Sequence, residues 1–169
     1  MQMVKRAVFI FFLFGFALLL TMPKEDIYFG LERELAKQGI ELNEGSVEEG
    51  IFDLVLKDVA VYIQGVKVAT VKKVSFYTLF FYSKVKIEIL HTDEGMRSVF
   101  SAHFEKVLFS YSIVHPLHIY IKARGSMGEM DGEIFLNKRK VYIDFKNPGK
   151  AAGLKRFLKK DERGWYYGF

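Results

Sequence analysis

Hydrophobic residues fall into three successive patterns along the chain, and each predicts a different kind of element. From Ala7 to Met22 the run AVFIFFLFGFALLLTM carries no charge, and Thr21 is its one polar residue. Lys5 and Arg6 stand before it and Pro23-Lys24-Glu25-Asp26 after it. Such a run predicts a membrane-spanning helix or the apolar part of a secretory signal. As a helix it would rise about 24 Å, short of a hydrocarbon core of about 30 Å. Val4 and the snorkelling stems of Lys5 and Arg6 lengthen it. Leu20-Thr21-Met22 lacks the small residues of a signal-peptidase site, so the expectation is an uncleaved anchor, with a cleaved signal as the alternative. Basic residues before the run leave the N-terminus in the cytoplasm and the rest of the chain outside.

The second pattern is helical. Ile27, Leu31 and Leu35 recur at i, i+4 and i+8 with Tyr28 beside them, which predicts an amphipathic helix over Pro23 to Gln38. Pro23 and the acidic Glu25 and Asp26 suit its first turn, and Gly39 suits its end.

From Gly50 the period becomes two. Phe52, Leu54 and Leu56 alternate with Asp53, Val55 and Lys57, Asp58 breaks the phase, and Val59, Val61 and Ile63 resume it. A slip of this kind is what a β-bulge produces. Gln64-Gly65 turns the chain into a second strand, whose phase also slips before Val74 and Phe76. Val85, Ile87 and Ile89 mark a third strand over Lys84 to Leu90. Phe104 to Ile113, Leu117 to Ala123, Met127 to Leu136 and Val141 to Phe145 follow, the last two as a hairpin about Asn137-Lys138. Asn147-Pro148 predicts a short helix running to Leu158, and the aromatic tail Trp165 to Phe169 a final strand. The sum is seven or eight strands with no helix between them. That is a mainly β fold: a curved antiparallel meander with two short accessory helices. The expected divisions are residues 1–22 as cytoplasmic stub and anchor, 23–46 as amphipathic helix and linker, and 47–169 as the β-domain.

Composition narrows the function. Half the chain is hydrophobic and 16% aromatic, enough for a substantial core. The absence of cysteine removes thiol nucleophiles, Fe–S clusters and thiolate zinc sites. A net charge of +5 permits contact with anionic headgroups, and a body outside the cytoplasm argues against nucleic acid.

Candidate chemistry is sparse. Gly125, Gly128 and Gly132 in RGSMGEMDG precede a strand, whereas a phosphate cradle opens a helix, so they predict turns or bulges. His115 and His118 lie three apart in an extended segment and so point to opposite faces. Carboxylates alternate with lysines as a solvated face, and no GxSxG occurs. No catalytic, cofactor or metal site is expected. Lys150, Lys155, Arg156, Lys159 and Lys160 form a basic helix face, which is either a soluble exterior or a contact for phospholipid headgroups or an acidic partner. The strands leave one apolar face to be covered. It could close as a filled sandwich, or remain a groove that takes an acyl chain or a partner. The candidate groove residues are Phe52, Leu54, Leu56, Val59, Val61, Val85, Ile87 and Ile89.

The segment FDLVLKDVAVYIQGVKVATVKKVSF, followed by TLFFYSKVKIEIL, resembles the repeating element of AsmA-like proteins and of the related type II secretion protein N family. GEIFLNKRKVYIDF and FLKKDERGWYYGF are similar to the end of the latter, and the resemblance covers most of residues 47 to 169. It implies a non-catalytic, groove-forming periplasmic sheet in the cell envelope, accessory to type II secretion or to lipid transport. Its partners would be the membrane, phospholipid or lipopolysaccharide acyl chains, and secretion-system proteins. In architecture the chain is also similar to the lipopolysaccharide-export protein C family, with one anchor and a small periplasmic β-domain. The expected location is the inner membrane, single-pass, with the body in the periplasm.

Overall fold

The computed structural model describes residue 10 and residues 24–79, 81–93, 102–149 and 151–169, leaving aside the side chains of Ile27 and Ala152. The expected anchor over Ala7–Met22 lies outside these residues except for Ile10. Among the described residues no helix is long and apolar enough to cross a membrane.

A helix α1 (Lys24–Lys37) leads into β1 (Ile40–Asn43), β2 (Ser46–Glu49), β3 (Asp53–Ile63), β4 (Val66–Leu79), β5 (Tyr82–Thr92), β6 (His103–Ser112), β7 (His118–Gly125), β8 (Gly128–Phe135) and β9 (Lys140–Phe145). A single-turn helix α2 (Ala152–Lys155) and the strands β10 (Lys159–Asp161) and β11 (Gly164–Gly168) complete the chain. All strands join one antiparallel sheet in the order β1-β3-β4-β5-β6-β7-β8-β9-β11-β10, with β2 also on β3. Among the described residues eleven strands therefore replace the expected seven or eight. The additional ones are β1, β2 and β10, with four, four and three residues. Each is too short and too polar to show a period of its own. β1 and β2 line up along the two halves of β3, and β10 lines up on β11.

Turn chemistry fixes the meander. Gln64 (φ 51°) and Gly65 (φ 76°) both sit in the left-handed region between the paired Ile63 and Val66. This two-residue turn matches the twist of the strands it joins. The helix expected from Asn147 is shorter than its pattern predicts and begins at Ala152, with Ala151 as an N-cap that makes no side-chain capping bond. Gly149 and Gly153 oppose a longer helix, and the Asn147 side chain instead sits where a Cβ on Gly128 would meet it at 3.0 Å.

A crease crosses four strands at one level. Lys57 pairs with Lys73, Lys73 with Glu88 and Glu88 with Lys106. Two residues on, Val59 pairs with Val71, Val71 with Leu90 and Leu90 with Phe104. Asp58, Lys72, Ile89 and Glu105, which lie between, are skipped. Asp58 (φ 53°) and Ile89 (φ 54°) adopt left-handed backbone. This conformation costs a β-branched residue on the order of 1–3 kcal/mol. At the crease the inward side changes parity, so Leu56 and Val59 are both buried, as are Val71 and Val74.

Two apolar clusters cover the flanks of that inward side. Under α1, Tyr28 packs with Leu54, Leu56, Val59, Val71 and Val74. Under α2, Ala102, Met127, Met130, Phe145 and Ala151 pack together. Among the described side chains of α1, Tyr28 is the buried one, while Leu31 of the expected stripe is half exposed. The Tyr28 hydroxyl is buried without a partner at hydrogen-bonding geometry. Burial pushes its pKa well above the ordinary tyrosine value, and the nearby Glu44 and Glu32 carboxylates push it further in the same direction. Replacing Tyr28 by phenylalanine removes an unsatisfied group and keeps the ring. Stability in urea should therefore stay level or rise by about 1 kcal/mol. A loss of that size would show that the hydroxyl is bonded to Glu44 in solution.

Candidate functional site

Register places the inward residues in rows that run across the sheet. In one row Leu54, Phe76, Val85, Phe109, Ile121, Gly132, Ile143 and Trp165 stand opposite one another on successive strands. In the next row stand Leu56, Val74, Ile87, Val107, Ala123, Met130 and Phe145. Large side chains fill both rows except at Gly132 and Ala123, on neighbouring strands. Between the two clusters, over these small residues, an apolar trough of about 260 Å³ remains open. Ile87, Leu90, Phe104, Val107, Phe109, Ile121, Met130 and Ile143 line it from the sheet, and Leu154 lines it from α2. Asp131 reaches the lining only through its place between Met130 and Gly132, and it is itself exposed.

Gly132 has no positive φ to explain it. A Cβ there would lie 3.1 Å from the Tyr142 carbonyl oxygen and 3.4 Å from Cβ of Ile121. A glycine inside a strand weakens it, and often marks a place where a ligand comes close. Here its missing side chain is the gap in the row.

The candidate groove residues divide. Ile87 both lines the trough and packs against the α1 cluster, while Val85 packs against that cluster without lining the trough. Leu54, Leu56 and Val59 are core beneath α1. Phe52 and Val61 are half-buried and do not line the trough. Ile89 is corrected: the crease turns it outward, 38% exposed, and Leu90 takes the inward place. Simple alternation from Val85 and Ile87 points to Ile89, but alternation fails across a left-handed residue. The rest of the lining comes from β6 to β9, whose alternation is plain in the sequence but whose place beside β5 is not.

The basic residues divide as well. Lys150 lies outside the described residues. Lys155 and Lys160 bring their Nζ atoms 5.3 and 5.7 Å from the Trp165 ring, at the α2 flank of the trough. Lys159 pairs instead opposite Tyr166, on the other face. Arg156 lies over Phe157.

The opposite face is polar. His118 Nδ1 is 2.6 Å from Glu133 Oε1, and Arg163 donates to Glu133 Oε2 at 2.7 Å while stacking 4.2 Å from the Phe135 ring. Beside them the Tyr142 hydroxyl donates to Asp161 Oδ2 at 2.9 Å. Partial desolvation raises the Asp161 pKa, but the bonds from Tyr142 and the Arg163 backbone N–H outweigh it and hold the carboxyl below its usual range. These contacts tie the β10–β11 hairpin to β7, β8 and β9. His115 and His118 stand with ring centroids 6.3 Å apart, and His118 faces Glu133. Pairing of β5 with β6 stacks His91 on His103, with Nδ1 atoms 3.1 Å apart, a meeting that spacing along the chain does not reveal. Among the described residues no group of three or more His, Asp or Glu side chains is arranged to hold a metal ion. Gly125 and Gly128 close the β7–β8 hairpin as a pair rather than opening a helix.

A further depression of about 440 Å³ on the polar face carries Lys106, Lys122, Arg124, Lys146, Glu105, Glu129 and Asp131. Its central carboxylate, Glu129, is shared between Arg124 and Lys146 at 2.9 Å each, an arrangement of neutralised charge on an open surface. The trough is thus the site whose chemistry is distinct. No protein-family model, curated protein or solved structure matches the chain.

Proposed function

We propose that this protein is a non-enzymatic, membrane-anchored component of the bacterial cell envelope, with its body in the periplasm. In this reading its apolar sheet face holds one acyl chain of a phospholipid, in the service of lipid transport or of type II secretion. The observation that carries it is the trough. Its floor consists of interior strands whose backbone groups are already paired, and its walls are apolar. A peptide laid there would bury amide groups with no partners, at a cost of several kcal/mol. An acyl chain brings no such groups. The resemblance to groove-forming envelope proteins, the uncharged Ala7–Met22 run and the cations at the Trp165 flank support the same reading.

Size limits the ligand. At about 30 Å³ per water-sized unit, the trough takes roughly eight methylenes. At about 0.8 kcal/mol each they give on the order of 6 kcal/mol before ordering costs, so the Kd is no tighter than tens of micromolar. Titration of the delipidated full chain with a fluorescent fatty acid should give saturable one-to-one binding. Gly132→Val places a branched side chain in the gap and should weaken that binding at least tenfold. Absence of saturable binding by the unaltered chain would refute the reading.

Edge pairing with a secretion component is the rival role. The sheet's edges weigh against it: β1 and β2 are interrupted by Glu44-Gly45, and β10 has three residues. Short, broken edges are how sheets avoid adding strands.

A further inference from the structure

Alternate turns of a meander gather at one end of the sheet. At the end where β3 begins lie the β2–β3, β4–β5, β6–β7 and β8–β9 connections and the C-terminus, as the pairs Asp53–Tyr77, Leu79–Tyr82, Tyr82–Ser112, His118–Phe135 and Lys140–Gly168 establish. These connections are not polar. Ile51, Ile113, Val114, Leu117, Leu136 and Phe169 are all exposed there, Val114 to 73% and Ile51 to 64%. They come from four separate stretches of chain, so no single local segment accounts for them. Among the described residues the opposite end has fewer such tips: Gln64-Gly65 is a polar turn flanked by the exposed Ile63 and Val66, and in Ser126-Met127 the methionine is buried.

A second observation says what the fringe meets. α1 starts at this same end, where the backbone N–H and the ammonium of Lys24 both reach Glu49 Oε1, at 3.2 and 3.4 Å. Glu49 pairs opposite Leu54 at the start of β3. The uncharged run Ala7–Met22 therefore joins the described fold at Lys24, at the end that carries the fringe. Lys138 and Arg139, both exposed, stand in the β8–β9 turn beside Leu136. Apolar tips interleaved with cations are the mixture that the bilayer interface accepts, with the tips among acyl chains and the cations among phosphates. Solitary exposed apolar residues mean little, but here the Leu136 N–H donates to the Leu117 carbonyl and the Phe169 N–H to the Arg139 carbonyl, so the β6–β7 turn, the β8–β9 turn and the C-terminus adjoin, and adjoining apolar tips mark an interaction surface.

We infer that this end of the sheet is a membrane-contacting rim, with the β6–β7 and β8–β9 turns dipping into the surface of an anionic phospholipid bilayer. The inward row just above the rim, Tyr111, Ile119, Ile134 and Val141, continues the apolar face from the rim to the trough. The sheet would then stand on the membrane with its apolar face open at the foot.

The chain contains no cysteine, so single labels report single positions. The full chain is reconstituted into vesicles of phosphatidylethanolamine and phosphatidylglycerol, with an environment-sensitive fluorophore on Val114→Cys, Leu136→Cys or Val66→Cys. Val66 is exposed at the opposite end. The expected result is blue-shifted emission at positions 114 and 136, quenching there by lipid-borne quenchers, and several-fold less quenching by aqueous iodide than at position 66. Equal iodide quenching at all three positions would overturn the proposal. So would labels at 114 and 136 that are shielded from iodide but untouched by lipid-borne quenchers, since a protein would then be covering the rim. Neither readout depends on whether the trough binds an acyl chain.

Discussion

Gly125→Ala is expected to cost about 3 kcal/mol or more of stability, although it adds a single methyl group. The Cβ would lie 2.1 Å from the His103 carbonyl oxygen and 2.8 Å from Cα of Phe104. Both are backbone atoms of the neighbouring strand, at the point where the β6–β7 register shifts. No side chain can rotate away, so the two strands must separate or the bulge must move. Gly50→Ala is the control. Its Cβ would come 2.0 Å from Asp53 Oδ1, an even shorter approach, but that carboxylate sits at the end of a rotatable side chain. Urea midpoints should fall steeply for the first variant and by less than about 1 kcal/mol for the second. Similar small losses for both would mean that β6 and β7 are not packed as described.

The second large effect separates core from trough. Leu54→Asp places a carboxylate in a position only 3% exposed, within an apolar cluster beneath Tyr28 and opposite Phe76. Burying an unpaired charge costs several kcal/mol, against a total stability of about 5–15 kcal/mol for a domain. Circular dichroism should show loss of the fold. Ile87→Asp lies in the row beside it but lines the open trough. There the carboxylate keeps access to water, and the expected loss is only about 1–2 kcal/mol. This variant should remain folded and lose the fatty-acid probe. If both variants unfold, the trough is closed in solution. If the Ile87 variant folds and still binds, the acyl chain lies elsewhere.

Local signals in the sequence carried much of this fold. The change from helical to two-residue period at Gly50, the Gln64-Gly65 turn and the phase breaks at Asp58 and before Val74 are all present in the structure. Their joint meaning is not local. That the two breaks lie side by side, with Ile89 and Glu105 continuing them, depends on register between strands far apart in sequence, and Ile89 is misplaced for that reason. β1 and β2, with the sequences IELN and SVEE, owe their conformation to β3 rather than to their own pattern. The candidate site was legible as a face but not as a place. Alternation identified inward residues such as Ile87, but it could not show that α1 covers Leu54 and Leu56 while leaving β5 to β8 open. Gly132 stood in the sequence as one turn or bulge glycine among three. Only its neighbours Ile121 and Ile143 show it to be an omitted side chain in a filled row.

Long meanders built from similar strands have an inherent ambiguity, because sliding one strand past the next by two residues keeps every greasy side chain on its proper side. The oblique line of skipped residues from Asp58 to Glu105 removes it. A two-residue slide would set the left-handed Asp58 or Ile89 against regular extended chain and would strand Val59 or Leu90 on the wetted side. The line therefore works as an index notch that lets four strands find a single alignment, and the strain held at Ile89 is offset by a native state with fewer near-copies to compete with it.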